Sequence, residues 1–220
     1  MSFITVPFEV VNVPFSSLQA SLQAKQLDIK SFSASTTIFC RDTCDPSNLY
    51  VLLCQRAYWD DTLEKANSWG GTWKTPGRSR ELGENILATA IRETKEETTL
   101  HISHVSSPVY LSLFNHKKVP MARCTFYTDV YEKLRPQRTW YDEQQCAVGP
   151  KDGVIRLIPG EHMDFYWATE AQVRGSLSYD AANPQKGLVM LENKEVILDI
   201  FERLRSSHID MIELPDDDRR

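Results

Sequence analysis

The segment Arg92-Glu93-Thr94-Lys95-Glu96-Glu97 constrains this chain more than any other stretch. Residues Glu84 to Thr98 carry apolar positions at helical spacing, which predicts a helix there. Glu93, Glu96 and Glu97 then stand at i, i+3 and i+4, so their carboxylates share one helix face. At 100° per residue they span an arc of about 100°. Leu87, Ala90, Ile91, Thr94 and Thr98 fill the adjacent arc and predict the side that meets a core. The three acids are therefore expected at the margin of the buried face. Same-face carboxylates repel by roughly 0.2–0.5 kcal/mol per pair, and more when half-buried without a cation. Hard oxygen donors in that arrangement suit Mg²⁺ or Mn²⁺. A solvated acidic face with Arg92 and Lys95 as partners is the alternative, and the segment alone leaves both open.

The rest of the chain says what such a helix packs into. At 220 residues with 41% hydrophobic and 10% aromatic content, one large domain with a substantial core is expected. Ala34 to Cys40 and Leu49 to Arg56 are β-branched and apolar, and the turn-rich residues 42–48 between them predict a strand pair. Residues 60–83, dense in Gly, Trp and Pro, are expected to be loop. Pro108 to Phe114 and Met121 to Tyr131 predict strands joined by the basic bend Asn115-His116-Lys117-Lys118. Leu134 to Gly153 reads as a flap or a disordered insert. Val154 to Ile158 and Asp164 to Ala168 predict further strands. Gly187 to Ser206 predicts a long amphipathic helix through Leu188, Leu191, Val196, Ile197, Ile200, Phe201 and Leu204. Residues 1–32 are weakly patterned, with a short helix expected over Ser16 to Lys25. The resulting expectation is a single α+β domain over 33–206, an N-terminal extension over 1–32 and a C-terminal tail over 207–220.

Charge and cysteine content narrow the function. Twenty-five basic residues against 30 acidic ones give a net charge of −5, which argues against general nucleic-acid binding. No apolar run is long enough to cross a bilayer, and the first residues lack the basic region of a signal peptide. The five cysteines, Cys40, Cys44, Cys54, Cys124 and Cys146, form no CxxC pair. They are expected to be reduced thiols in a cytoplasmic protein.

Upstream of the acidic helix stand Trp73-Lys74-Thr75-Pro76-Gly77-Arg78 and Leu82-Gly83-Glu84, with Glu84 eight residues before Arg92. Together these segments resemble the Nudix box, Gly-x5-Glu-x7-Arg-Glu-U-x-Glu-Glu-x-Gly-U with U aliphatic. Glu84, Arg92, Glu93, Glu96, Glu97 and Leu100 match it. Three positions depart: Arg78 stands for the first glycine, with Gly77 one place early, Thr94 stands at the aliphatic position, and Thr99 replaces the closing glycine. Val51 to Arg56 resembles the strand before the box, and Glu161 to Trp167 the segment after the last core strand. The resemblance runs over residues 34 to 206 in chain order.

This resemblance implies a Nudix-like α/β/α sandwich with a mixed central sheet and a diphosphohydrolase acting on a small-molecule diphosphate. It implies Mg²⁺, with Mn²⁺ an alternative, on Glu93, Glu96 and Glu97, and Glu161 as a further ligand or base. Glu84 and Arg92 are implied as structural support, and Arg56, Lys74, Arg78 and Arg80 as candidate phosphate contacts. Thr99 is expected to be strained if the helix ends in a left-handed conformation. His162 is expected to be a hydrogen-bonding neighbour more than a ligand. Trp59, Trp69 and Trp73 either stack a substrate or anchor the loop, with anchoring the better reading for Trp73. The expected substrate is a nucleoside diphosphate derivative; the alternatives are a non-nucleotide diphosphate such as a prenyl diphosphate, or a non-catalytic binding module. A homodimer is compatible with the sequence.

Overall fold

Alternation of side chains along the long strands sorts them onto two faces of one sheet, and that sorting builds the molecule. The computed structural model describes residues 2–41, 45, 47–60, 64–67, 69–116, 119–129, 155, 157, 161–175, 188–206 and 209–215. Its strands are β1 (Ser2–Pro7), β2 (Ser31–Arg41), β3 (Leu49–Arg56), β4 (Trp59–Asp60), β5 (Lys65–Ala66), β6 (Trp73–Lys74), β7 (Gly77–Ser79), β8 (His104–Ser106), β9 (Pro108–His116), β10 (Val119–Asp129), β11 (His162–Ala168) and β12 (Met211–Glu213). The helices are α1 (Phe8–Val11), α2 (Phe15–Ala24), α3 (Ile86–Thr98), α4 (Glu170–Arg174) and α5 (Leu191–Ser206).

The central sheet has eight strands in the order β1-β9-β10-β2-β3-β11, with β6 added to β3 and β7 to β2. It is mixed: β10 runs parallel to β2, with Met121 opposite Ser31 and Asp129 opposite Phe39. The other pairings are antiparallel. Val109 and Leu111 of β9 and Cys124 and Phe126 of β10 pack with Ile86, Leu87 and Ala90 of α3 and with Phe8, Val11, Leu18 and Leu22. The intervening Tyr110 and Tyr127 join the opposite core, with Val51, Leu53 and the α5 residues Val196, Ile197, Ile200 and Phe201. Each such side chain contributes roughly 1.5–3 kcal/mol when fully buried. The sheet is thus covered on both faces, an α/β/α sandwich in one domain.

The strand pair β2–β3 forms where the sequence predicts it, with Phe39 opposite Val51 and Arg41 opposite Leu49. Residues 60–83, expected to be loop, instead carry β5, β6 and β7. Two- and three-residue strands are too short to show a period of two, and partners far along the chain define them. Residues 2–32 supply an edge strand and two helices whose apolar side chains enter a core. Near the other end β12 pairs with β8, and Leu214 is buried. The helix expected from Gly187 begins at Leu191, because Val189 bridges to Trp73 in extended form. Leu188 and Leu191 are consequently exposed and outside the core stripe. Residues 117–118, the 134–153 insert and most of the strand expected over Val154 to Ile158 lie outside the described residues.

Candidate active site

Helix α3 starts cleanly because Asn85 caps it, its Oδ1 accepting from the Ala88 N–H at 2.7 Å. The helix then lies against β2 and β7. Its carboxylates divide differently from the margin position expected: Glu93 and Glu97 are 2% and 1% exposed, whereas Glu96 is 49% exposed. Glu97 is buried because β7 passes over it. Thr94, at the aliphatic position, is also buried, and its hydroxyl donates to the Ala90 carbonyl at 2.8 Å, which satisfies the group locally. Thr99 closes the helix in the left-handed region, with φ 61° and ψ 6°.

Gly77 is where the backbone makes room. Its φ is +146°, and a Cβ there would stand 2.3 Å from the Ala34 carbonyl oxygen. Only glycine lets β7 lie this close to β2. Its N–H donates to Glu97 Oε2 at 2.9 Å, and its carbonyl accepts from Lys74 Nζ at 2.8 Å. The same Lys74 Nζ donates to Glu97 Oε1 at 2.8 Å. Glycine is thus required one residue before the box position, and Arg78 projects its side chain outward, where it pairs with Glu161.

Arg92 organises the acids behind this floor. Its Nε and one terminal nitrogen donate to Glu84 at 2.6 and 3.1 Å, and its other terminal nitrogen donates to Glu93 at 2.6 Å and Glu96 at 2.8 Å. These bonds from Arg92 hold the Glu84 carboxyl down at about 2. Burial first, and the nearby Glu97 charge second, push Glu93 up to about 7. Burial likewise lowers His162 to about 3, so its ring is neutral near pH 7.

A cleft of about 710 Å³ opens over Glu97. Arg56, Lys74, Arg78, Glu97, Glu161 and His162 line it together. Arg80 is not among them. Its guanidinium lies 3.7 Å from the Phe15 ring centroid and donates to the Glu81 and Glu84 carbonyls, on a separate cleft beside α2. Lys74 is engaged by Glu97 and Gly77, so the cluster of phosphate contacts expected from Lys74, Arg78 and Arg80 is not assembled as such. Glu93 and Glu96 are not among the residues lining this cleft, and both accept from Arg92.

His162 departs from its expected part as a hydrogen-bonding neighbour. It is 5% exposed, and neither ring nitrogen has a hydrogen-bond partner among the described residues. Nε2 lies 3.9 Å from Glu97 Oε2. Glu97, Glu161 and His162 each offer a ligand atom, all within 4.8 Å of one another. Two carboxylates and an unpartnered buried imidazole are a donor set that fits a divalent cation.

Some cleft residues were not singled out from sequence. Arg123 projects from β10 with Nε donating to Ser33 Oγ at 3.2 Å and its guanidinium 5.5 Å from the Phe114 ring centroid. The available signal was an arginine inside an apolar strand, where alternation places it on a face away from Cys124. Of the tryptophans, Trp73 is buried against Tyr166, Trp69 lines the cleft and is exposed, and Trp59 is exposed away from it.

The NUDIX domain family model matches residues 34–190. No curated protein matches the chain in sequence. A MutT/nudix family protein from Enterococcus faecalis is structurally similar over 85% of this chain and 68% of its own, at 17% identity and a TM-score of 0.51. The NUDIX domain of Shewanella oneidensis NrtR, solved with ADP ribose, aligns over 84% of this chain and 98% of its own, at 16% identity and a TM-score of 0.49. A C. elegans Ap4A hydrolase binary complex aligns over 80% of this chain and 96% of its own, at 14% identity and a TM-score of 0.45. Matched over most of its length by the family model, the chain belongs to the NUDIX domain family and is a pyrophosphohydrolase of the Nudix type.

Proposed function

We propose that the chain hydrolyses the diphosphate linkage of a nucleoside diphosphate derivative, with Mg²⁺ or Mn²⁺ as cofactor. The observation that carries this reading is a buried carboxylate, Glu97, at the floor of a cleft shared with Glu161, His162, Arg56 and Arg78. Glu97 and Glu161 would hold the ion, with His162 completing the set and Glu93 adding negative charge behind it. When bound, the ion supplies positive charge toward the phosphate oxygens and eases the activation of water. Arg78 presents a guanidinium at the cleft and orients phosphate through its planar fork. Arg56, held by the Asn67 side chain at 3.3 Å, adds charge on the same wall. Glu161, the more exposed of the two carboxylates, has room to take a proton from the attacking water. Arg92 and Glu84 touch no substrate in this scheme and position α3.

A second reading has its own support. Trp69, Leu188 and Leu191 are exposed apolar groups on the cleft rim, which favours an apolar substituent such as a prenyl chain beyond the diphosphate. The buried thiols Cys54 and Cys124 accord with a reducing, cytoplasmic setting.

A turnover screen with Mg²⁺ across nucleotide sugars, dinucleotides, ADP-ribose and prenyl diphosphates separates the two readings. Glu97→Gln is expected to lower kcat at least 100-fold on the preferred substrate while the folded content by circular dichroism stays unchanged. Full activity in that variant would rule out the metal site at Glu97.

A further inference from the structure

Lys74 holds an uncommon position for a lysine. It sits on β6, where its backbone pairs with Cys54 of β3, so the root of the side chain is fixed. The side chain is 13% exposed and ends on two oxygens, Glu97 Oε1 and the Gly77 carbonyl, each at 2.8 Å. Neither oxygen is free to move away. Gly77 is held by its own N–H to Glu97 Oε2, and its backbone conformation excludes any side chain. A cation lodged between a buried carboxylate and an oriented carbonyl has the surroundings of a bound metal ion. The second observation is His162, buried and without a hydrogen-bond partner among the described residues, with Nε2 3.9 Å from the other Glu97 oxygen.

Resting on the metal reading above, we infer that Lys74 is a tethered cation that occupies the Glu97 site in the metal-free protein and exchanges with the divalent ion. A divalent ion held at Glu97 would repel the ammonium that donates to the same carboxylate. The carboxylate therefore serves one cation at a time. Metal-free, Lys74 neutralises Glu97 and keeps β7 seated on α3. Metal-loaded, the ammonium is released into the cleft that it already lines, where a phosphate oxygen of the substrate is its next partner. Metal binding thereby converts a structural counterion into a substrate contact, and divalent affinity is weaker than the donor set alone would give.

The test uses the full chain and Mn²⁺ as the probe. Pulsed acetic anhydride labelling with mass spectrometry compares Lys74 with the exposed Lys65 as internal reference. Lys74 labelling is expected to rise at least fivefold on Mn²⁺ saturation. Free Mn²⁺ measured by electron paramagnetic resonance is expected to show at least tenfold tighter binding to Lys74→Met than to the parent. If that variant does not fold, the labelling of the parent still decides. Unchanged labelling at saturating Mn²⁺, whatever the affinity of the variant, overturns the exchange and leaves the metal site standing. Mn²⁺ binding by neither protein overturns both.

Discussion

Single residues carry the departures from the family pattern, and each has a local physical account. Thr99 is the sharpest. It holds φ 61° at the end of α3 while its N–H donates to the Lys95 carbonyl at 2.8 Å. A β-branched residue in this region is strained by about 1–2 kcal/mol. Glycine there loses more chain entropy on folding, by roughly 0.5–1 kcal/mol. Thr99→Gly is therefore expected to be neutral to about 1 kcal/mol stabilising, and a melting temperature that falls by several degrees would contradict it. Glu84 sets a pH dependence. Arg92 holds its folded-state carboxyl at about 2 against an ordinary 4.5, so the contribution is present above pH 4.5 and is lost as pH falls toward 2. Urea unfolding with chelator should show the parent more stable than Glu84→Gln by about 1.5–3 kcal/mol near pH 6, the gap narrowing as pH falls toward 2. A gap that widens in acid would refute the assignment. These acids were legible in sequence because helix spacing fixes which side chains share a face. The split between buried Glu93 and Glu97 and exposed Glu96 was not, since it depends on β7 crossing the helix. Nor was the loss of Arg80 to Phe15, a partner 65 residues away in sequence.

At the scale of elements, legibility follows length. The eleven-residue strand β2 and the thirteen-residue helix α3 repeat their patterns enough times to be read. Strands β6 and β7 do not, although they build the floor of the site. Their formation depends on long-range partners: β7 pairs with β2, and Trp73 bonds to Leu188 and Met190. By sequence spacing Leu188 and Leu191 belong to an apolar helical stripe. They became cleft rim because that bridge to Trp73 keeps residues before Leu191 extended. Gly77 is the point on which β7 depends. Gly77→Ala would place a methyl group inside the van der Waals radius of β2 and force β7 outward, taking the N–H of residue 77 from Glu97. A loss of about 3 kcal/mol is expected. Activity should fall even under conditions where the variant is folded. A variant that is as stable and active as the parent would show that β7 does not sit this close to β2.

The whole molecule is a sandwich whose two cores are not equally local. The core under α5 gathers most of its residues from β2, β3, β9, β10, β11 and the helix itself, with Ile209 buried among them and Phe3 and Met211 packed against it from outside the 34–206 span of the resemblance. The core under α3 reaches back to the first residues of the chain: Phe8, Val11, Leu18 and Leu22 lie among Ile86, Ala90, Leu111 and Phe126. Weak patterning hid this contribution. Helix α1 is four residues long, and α2 presents only two buried side chains, too few to signal amphipathicity. Helix α3 carries Glu93 and Glu97 on the face that meets this core, so the N-terminal segment supports the site from behind. Leu18 is fully buried, and Leu18→Ala is expected to cost about 2–5 kcal/mol through lost burial and the cavity left behind. For a chain of this size that is a fall of roughly 10 °C in melting temperature. Removal of residues 1–30 would uncover Phe32, Leu111 and Phe126 at once, and the shortened chain is expected to bind a hydrophobic dye and to lose near-ultraviolet circular dichroism. Should the shortened chain melt cooperatively at the parent temperature and keep its affinity for Mn²⁺, the first thirty residues would be an appendage, and α3 would hold its carboxylates without them.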